Sequence, residues 1–502
     1  MTAYPNLSPS ALYNAPVEAF AQLMATLRAA PALSSDHAVI ERLVRDEGWE
    51  VLRLLYQSWL DERSALEEVR SVVGADDVER THHRAATRPL ETVFGEVTVG
   101  RDRVGGRGVE ALAPLDALLN LHDDRFSSGV REHVVEEAVR GSFDAAVAAI
   151  SASTGASLAK RQAEEIVLAA AVDFDAFYGM QLGESAGKAD DLLVLTADGK
   201  GVVMRTEGLR DATRLAAQKG AHKLKKRLSK GEKKNRKRMA EVAAVYDLTP
   251  QPRSELDILG DLDRKRPEKR PRARNKRVWA SLEKSTTNVI DEMFAEALRR
   301  DPNRVRTWVV LVDGNKTQIR EIRTVAKRLG VKITMILDLI HVIEYLWAAA
   351  WDVFPEGAPA AEKWVRKHLT GVLRGRAGIV AAALRRQATC KKLAKRDGID
   401  KAATYLLAYK AMLRYDEYLP AGLPIATGVI EGACRHLVKD RMDITGARWG
   451  LEGAEAILKL RSLSVSGDMA AYWQFHRRQE FWRNHASCYA DAERTWLWQE
   501  AA

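Results

Sequence analysis

The chain has 502 residues, 46% hydrophobic and 29% charged, a composition expected of a globular protein long enough for two or three domains. Lys and Arg number 78 against 68 Asp and Glu, and the formal net charge of +10 points to a polyanionic partner. The widely spaced Cys390, Cys434 and Cys488 exclude a disulfide framework and a paired-cysteine zinc site. The N-terminal stretch lacks a signal-like apolar segment and no run nears ~18 apolar residues, so the expectation is a cytoplasmic, nucleoid-associated protein with no membrane contact.

In chain order, Ile40, Leu43, Val44, Val51, Leu52, Leu55, Trp59, Leu66 and Val69 recur at helical spacing, which predicts two amphipathic helices broken near Gly48. ETVFGEVTVGRDRV from Glu91 alternates and predicts a hairpin. From Gly141 the pattern predicts two helices joined by a turn at Thr154 and Gly155, with Ser157 as N-cap of the second. That spacing fits a helix-turn-helix presenting Lys160 and Arg161 to DNA; an ordinary helical hairpin gives the same pattern.

After a polar linker at 183–191, strands are predicted at Leu192–Ala197, Gly201–Arg205 and from Ala240, then a helix over about Ala280–Arg300. TWVVLVD from Thr307 is a fourth strand, TQIREIRTVAKRLG a helix ending at Gly330, and VKITMILD a fifth strand running into a helix. Three strands followed by helix, strand, helix, strand, helix outline an RNase H-like domain, in which strands one and four lie side by side. Asp198 in TADGKG and Asp313 in LVDGNK would then be neighbours.

Two neighbouring carboxylates repel each other unless a cation lies between them, and hard oxygen ligands suit Mg²⁺, with Mn²⁺ as substitute. A third acid would complete a two-ion site for phosphoryl transfer. Glu431, on a helix starting near Gly428, is the best candidate and Glu452 its rival; on that helix Arg435 and Lys439 would face phosphates. Taken singly, an Asp before Gly is an ordinary turn residue. Asp338 and His341 in ILDLIHVIEYLW are auxiliary candidates, with an N-cap and a partly buried histidine as the plain alternative.

The series LVLTADGKGVVMR, WVVLVDGNKTQI, LDLIHVIEYLWAAAW and IATGVIEGACRHLVKDRMDITGARWGLEGAEAILKLR resembles the ISKra-type bacterial insertion-sequence transposases, relatives of the Mutator-like DDE transposases. TVFGEV, LDALLNL and RGSFDAAVAAI extend the resemblance toward the N-terminus. The resemblance implies an acidic triad of Asp198, Asp313 and Glu431 holding two Mg²⁺, with Asp338 and His341 matching the family's acid-or-cysteine, two residues, histidine motif. Asp338 stays open as an alternative second metal ligand. It also implies a helical insertion before the glutamate, and 338–424 reads almost wholly helical. RVGGRGVEAL lacks the cysteine pair expected of many relatives, so no zinc is assigned.

Positive charge is concentrated in two runs. Lys219 to Arg238 holds 11 Lys or Arg in 20 residues, including Lys223, Lys225, Lys226, Arg227, Lys233, Lys234, Arg236, Lys237 and Arg238. Arg264 to Arg277 holds 9 in 14, including Arg270, Arg272 and Arg274. Both read as loops or arms whose counterion release would drive DNA affinity with little sequence preference. Trp449, Trp473, Trp482, Trp496 and Trp498 read as a packed C-terminal helical layer or a subunit contact rather than a base-stacking site.

The expected architecture is multidomain, α plus α/β: a helical region (1–85), a hairpin and helix-turn-helix-like DNA-binding region (86–182), an RNase H-like mixed-sheet catalytic core (190–344 and 425–465) with an all-helical insertion (345–424), and a Trp-rich helical tail (466–502). The implied activity is Mg-dependent cleavage at insertion-sequence ends and joining of the 3′ ends to target DNA. Its expected partners are the terminal inverted repeats, target DNA and at least one further copy of the chain. An RNase H-like nuclease or resolvase without strand transfer, or a non-catalytic transposase-derived DNA-binding protein, are the alternatives.

Overall fold

A computed structural model describes residues 9–68, 71–180, 187–219, 236–263, 271–444 and 446–490. The protein is mixed α/β, and its contacts divide it into two compact units, Met1–Tyr178 with Met469–Ala502, and Gly179–Asp468. Among the described residues no helix is long and apolar enough to cross a membrane.

The first unit opens with α1 (Asn14–Arg28) and α2 (His37–Ala65), the latter N-capped by Asp36, whose Oδ1 accepts from Val39 N at 3.0 Å. The break expected near Gly48 does not occur. A mid-helix glycine costs only ~1 kcal/mol against alanine, while an unbroken α2 keeps Leu60 packed on Leu90, Val97, Val99 and Leu115. Those partners belong to β1 (His82–Thr92), β2 (Gly95–Gly106) and the segment that follows β3 (Val109–Leu112), an antiparallel sheet in the order β1-β2-β3. The predicted hairpin is its first half, and Pro89 is accommodated because β1 is an edge strand.

Three helices follow, α3 (Ser128–Arg140), α4 (Phe143–Ser153) and α5 (Lys160–Ala170). The expected pair is α4 and α5, but the N-cap of α5 is Ala159 and not Ser157. The Ser157 amide instead donates to Glu91 Oε1 at 2.8 Å, and Gln162 Oε1 takes up the Ala159 amide at 2.8 Å.

The second unit is built on a five-stranded sheet: β4 (Leu192–Val203), β5 (Lys237–Leu248), β6 (Arg274–Ser281), β7 (Trp308–Val312) and β8 (Ile333–Leu337), in the order β8-β7-β4-β5-β6. β5 lies antiparallel to both β4 and β6, whereas β7 pairs parallel with β4, and β8 parallel with β7. The two short strands expected on either side of Asp198 are one continuous strand. Cross-strand pairing with β5 overrides the local turn preference of Asp-Gly, and Asp198 sits opposite Val242. The third strand is β6, which begins inside the second basic run instead of a loop, and the helix after it is shorter than expected. That helix, α6 (Thr286–Arg300), is capped by Ser285.

The interior residues Leu193, Val194, Leu195, Val309, Val310 and Leu311 are fully buried, as near-continuous apolar runs in a sheet covered on both faces require. α7 (Lys316–Leu329) starts at the Asn315 cap and ends at Gly330, whose φ of 62° is the left-handed conformation that glycine adopts without strain. α8 (Leu339–Ala350), α9 (Pro359–Leu373), α10 (Ala377–Cys390) and α11 (Asp397–Ala408) form the helical insertion. The chain returns through α12 (Gly428–Ala433), a π-helical turn at Cys434–Lys439, and α13 (Leu451–Ser466). Buried Glu455 on α13 ties it to β6, accepting from Ser281 Oγ and Leu282 N, each at 2.7 Å.

The last described helix, α14 (Met469–Asn484), belongs to the first unit, where Asp173 accepts from His476 Nδ1 and Arg483, each at 2.6 Å. Of the tryptophan series, Trp473 on α14 and Trp449 in the second unit are buried. The Trp449 indole donates to the Met442 carbonyl at 3.1 Å, and Trp482 is 46% exposed. Trp496 and Trp498 lie outside the described residues.

Candidate active site

Register places the acids. β4 pairs with β7 up to Thr196↔Leu311, and β7 pairs with β8 up to Val312↔Leu337. Two residues further on the first register sets Asp198 beside Asp313, and one residue further on the second sets Asp313 beside Asp338. The Asp338 amide continues that pairing by donating to the Val312 carbonyl at 2.8 Å. Continued past the last paired residues in this way, the two registers line the three aspartates up as a row at adjoining strands, and the charge of Asp198 reaches Asp313.

Each aspartate is held differently. Asp198 Oδ1 accepts from the Gly199 amide at 2.6 Å and its Oδ2 from the Cys434 thiol at 3.2 Å. Asp313 accepts from the Asn315 amide at 2.7 Å. Burial pushes the Asp313 carboxyl above its ordinary range, against the Asn315 amide, and the neighbouring Asp198 pushes it the same way. Asp338 is fully buried and accepts four hydrogen bonds, from Ile340 N (3.1 Å), Thr427 N (3.3 Å), Thr427 Oγ1 (2.7 Å) and His341 Nδ1 (2.9 Å).

α12 brings Glu431 to the row. Burial and the negative Asp338 raise its carboxyl, the imidazole of His341 opposes this, and Glu344 and Asp198 add to the rise. The hydrogen bond to Asp338 is the main cause that pushes His341 up to about 9; burial works against it, while the fields of Asp338, Asp313 and Glu344 reinforce it. At neutral pH the imidazole is therefore a cation among carboxylates. Asp338, His341 and Glu431 offer ligand atoms within 4.8 Å of one another, the only such group of three among the described residues. Asp198 and Asp313 stand beside that group.

The donor chemistry of the row and of Glu431 fits a hard divalent cation: neighbouring carboxylates, of which Asp313 and Glu431 are raised by burial and then by the charge of other acids, gain by sharing a positive ion. Asp338 fits that role less well than its neighbours, because its oxygens are already occupied by four donors. With His341 it is better suited to positioning than to ligation. Glu452 is exposed in the first turn of α13, whereas Glu431 shares the field of the aspartates.

Three features escaped the sequence reading. Cys434, one turn after Glu431, touches Asp198. Lys200, two residues along β4 and so on the same face as Asp198, lowers the neighbouring Cys434 thiol, whose net shift is upward and mainly due to burial. The insertion also braces the loop after β7: Tyr405 and Tyr409 donate to the Asp313 and Gly314 carbonyls at 2.7 and 2.5 Å, and Tyr415 donates to the Leu337 carbonyl at 2.7 Å. Only the cysteine carried a sequence signal, its helical spacing from Glu431.

The expected DNA contacts divide in three. Lys160 and Arg161 are exposed in the first turn of α5, paired with Asp144 at 2.7 Å and Glu165 at 3.0 Å. Arg435, Lys439, Lys237 and Arg272 are exposed. Arg236 donates to Thr206, and Arg274 pairs with Asp191 at 2.6 Å. The Arg238 guanidinium donates to the Leu282 and Gly208 carbonyls at 2.7 and 3.1 Å and so fastens β5 to neighbouring chain. Lys223, Lys225, Lys226, Arg227, Lys233, Lys234 and Arg270 lie outside the described residues. Lys237 and Arg274 belong to strands, not to the loops expected there.

No protein-family model matches the chain, and a search of curated proteins returns no match.

Proposed function

We propose that the protein is a DNA transposase whose second unit is an RNase H-like catalytic domain. The observation that carries this reading is the closeness of acids from three adjoining strands and a separate helix: Asp198 acts on Asp313, and Asp338 and Asp198 act on Glu431. The strand order, with an antiparallel meander followed by two parallel strands, supports it. Asp198, Asp313 and Glu431 would hold two Mg²⁺, which when bound activate the attacking oxygen and stabilise the leaving oxygen of a phosphodiester.

The chain's own residues do the rest. Asp338 fixes the ring of His341, and the resulting imidazolium offsets part of the carboxylate repulsion and offers a donor to a phosphate. Cys434 and the Gly199 amide hold the Asp198 carboxylate in place, while Tyr405 and Tyr409 fix the backbone that presents Asp313. Lys200 supplies positive charge on the same face.

The test is cleavage of a supercoiled plasmid carrying the gene for this chain with its flanking DNA, in Mg²⁺ or Mn²⁺. The wild type is expected to nick it, and Glu431→Gln to bind it without nicking. Strong cleavage by Glu431→Gln rejects the assignment. Joining of duplexes with exposed 3′ hydroxyls to a second DNA separates a transposase from a nuclease that only hydrolyses.

A further inference from the structure

A cavity of about 560 Å³ opens beside Glu431. Its walls are apolar and come from three places: Leu339, Ile340 and Ile343 on α8, Val429 on α12, and Ile258 with the Pro424–Ile425 stretch. Tyr246, Thr249, Gln251, Arg253 and Glu431 are its polar lining residues. Its volume lies within the range of about 300–1,000 Å³ that holds small organic ligands, and its mixed lining, mostly apolar with several polar groups, suits an amphipathic ring such as a heterocycle.

The slot is built deliberately. Gly422, at a φ of +74°, allows its carbonyl to accept from the Gln251 amide at 3.1 Å, and a Cβ there would come within 2.7 Å of that nitrogen. This fixes the segment that carries Gln251 against the segment that leads into α12. Ile340, one of the lining residues, remains 38% exposed at the start of α8, one residue before His341.

Glu431 belongs to both places. It shares the field of Asp338 and Asp198 and it also lines the cavity. A strand whose phosphate lies at the acids therefore has its adjoining nucleotide within reach of the slot. We propose, resting on the transposase reading, that the cavity takes a single nucleobase unstacked from the strand being cut. Apolar walls contact the two ring faces, and the Gln251 amide, with one acceptor and two donor hydrogens, reads a Watson–Crick edge. Removing one base from the stack exposes the scissile phosphate to the acids and fixes its register.

The experiment starts from the nick mapped on the plasmid described above, and uses duplexes with 2-aminopurine at each position within three nucleotides of it. One position is expected to brighten several-fold when the wild type binds. In Gln251→Ala and the cavity-filling Ile340→Trp the brightening is expected to vanish and cleavage to fall at least tenfold, with unchanged melting midpoints. An abasic nucleotide at that position is expected to restore cleavage by Ile340→Trp, which a merely misfolded variant would not show. Nicking by the wild type with no position brightening overturns the base slot and leaves the transposase reading intact. Absence of nicking by the wild type overturns both.

Discussion

Asp338 and His341 are joined by a hydrogen bond of 2.9 Å between Oδ2 and Nδ1, and the acid that holds the ring is itself locked by two donors from Thr427. This fixes which ring nitrogen remains available and keeps the imidazole charged. In Asp338→Asn the acceptor charge is lost while the side-chain volume is kept. The His341 titration, followed by NMR of ring-labelled histidine, is expected to fall from about 9 to near or below ~6.5, the ordinary histidine value. A ring that still titrates near 9 would show that Asp338 is not its charge partner.

Gly314 is tied to Tyr405 by shape. It has a φ of +103°, and a Cβ there would come within 2.9 Å of Tyr405 Cε2. Gly314→Ala is expected to destabilise the second unit by ~1–3 kcal/mol, from backbone strain and crowding together. Tyr405→Phe removes the donor to the Asp313 carbonyl and is expected to cost ~1–3 kcal/mol and to lower cleavage. Wild-type melting and wild-type cleavage in Tyr405→Phe would show that the insertion does not brace the acid loop.

His368, in α9, gives the insertion an acid sensitivity. Burial is the main cause that pulls its titration down to about 4, with Lys367 adding to it. Between about 4 and ~6.5 the unfolded chain binds a proton that the folded chain does not, so stability rises with pH across that window and falls as pH is lowered through it. The span corresponds to a loss on the order of 3 kcal/mol at the acid end. Chemical denaturation of wild type and His368→Phe at pH 7 and pH 4.5 checks this, and the difference between the two pH values is expected to shrink in the variant.

Glu296 on α6 is buried among Arg277, Arg299 and Arg300, with bonds of 2.6 to 2.7 Å. Burial alone would raise its carboxyl, but the three guanidinium groups outweigh burial and pull it down to about 2. Its contribution to stability is present above its unfolded value of about 4.5 and is lost as pH falls toward 2. Glu296→Gln leaves the arginines without their anion and is expected to destabilise by ~3–5 kcal/mol at neutral pH. A denaturation midpoint equal to the wild type would show that the cluster is solvated.

Long apolar or periodic segments were legible from sequence: β7, β8, α7 with its glycine stop, and the helices of the insertion. Errors fell where pairing at a distance decides. Asp198-Gly199-Lys200-Gly201 has the composition of a turn, yet β5 pairs with every residue of it and keeps it extended. β6 starts with charged residues that a linear reading assigns to a loop, but Arg274 and Arg277 meet Asp191 and Glu296. The row of aspartates could be anticipated from strand order alone. The tyrosines that brace Asp313 could not, because strand order says nothing of how the helical insertion docks on the sheet, and the thiol on Asp198 was signalled only by its helical spacing from Glu431.

The acid row also sets an order of assembly during synthesis. β4 and β5 can pair once they emerge, but Asp198 acquires Asp313 only after α6 and β7 are made, and Glu431 arrives after the whole helical insertion. A chain still on the ribosome at Val312 presents Asp198 alone, so the set of acids stays incomplete until the segment that carries Glu431 has been made and has docked.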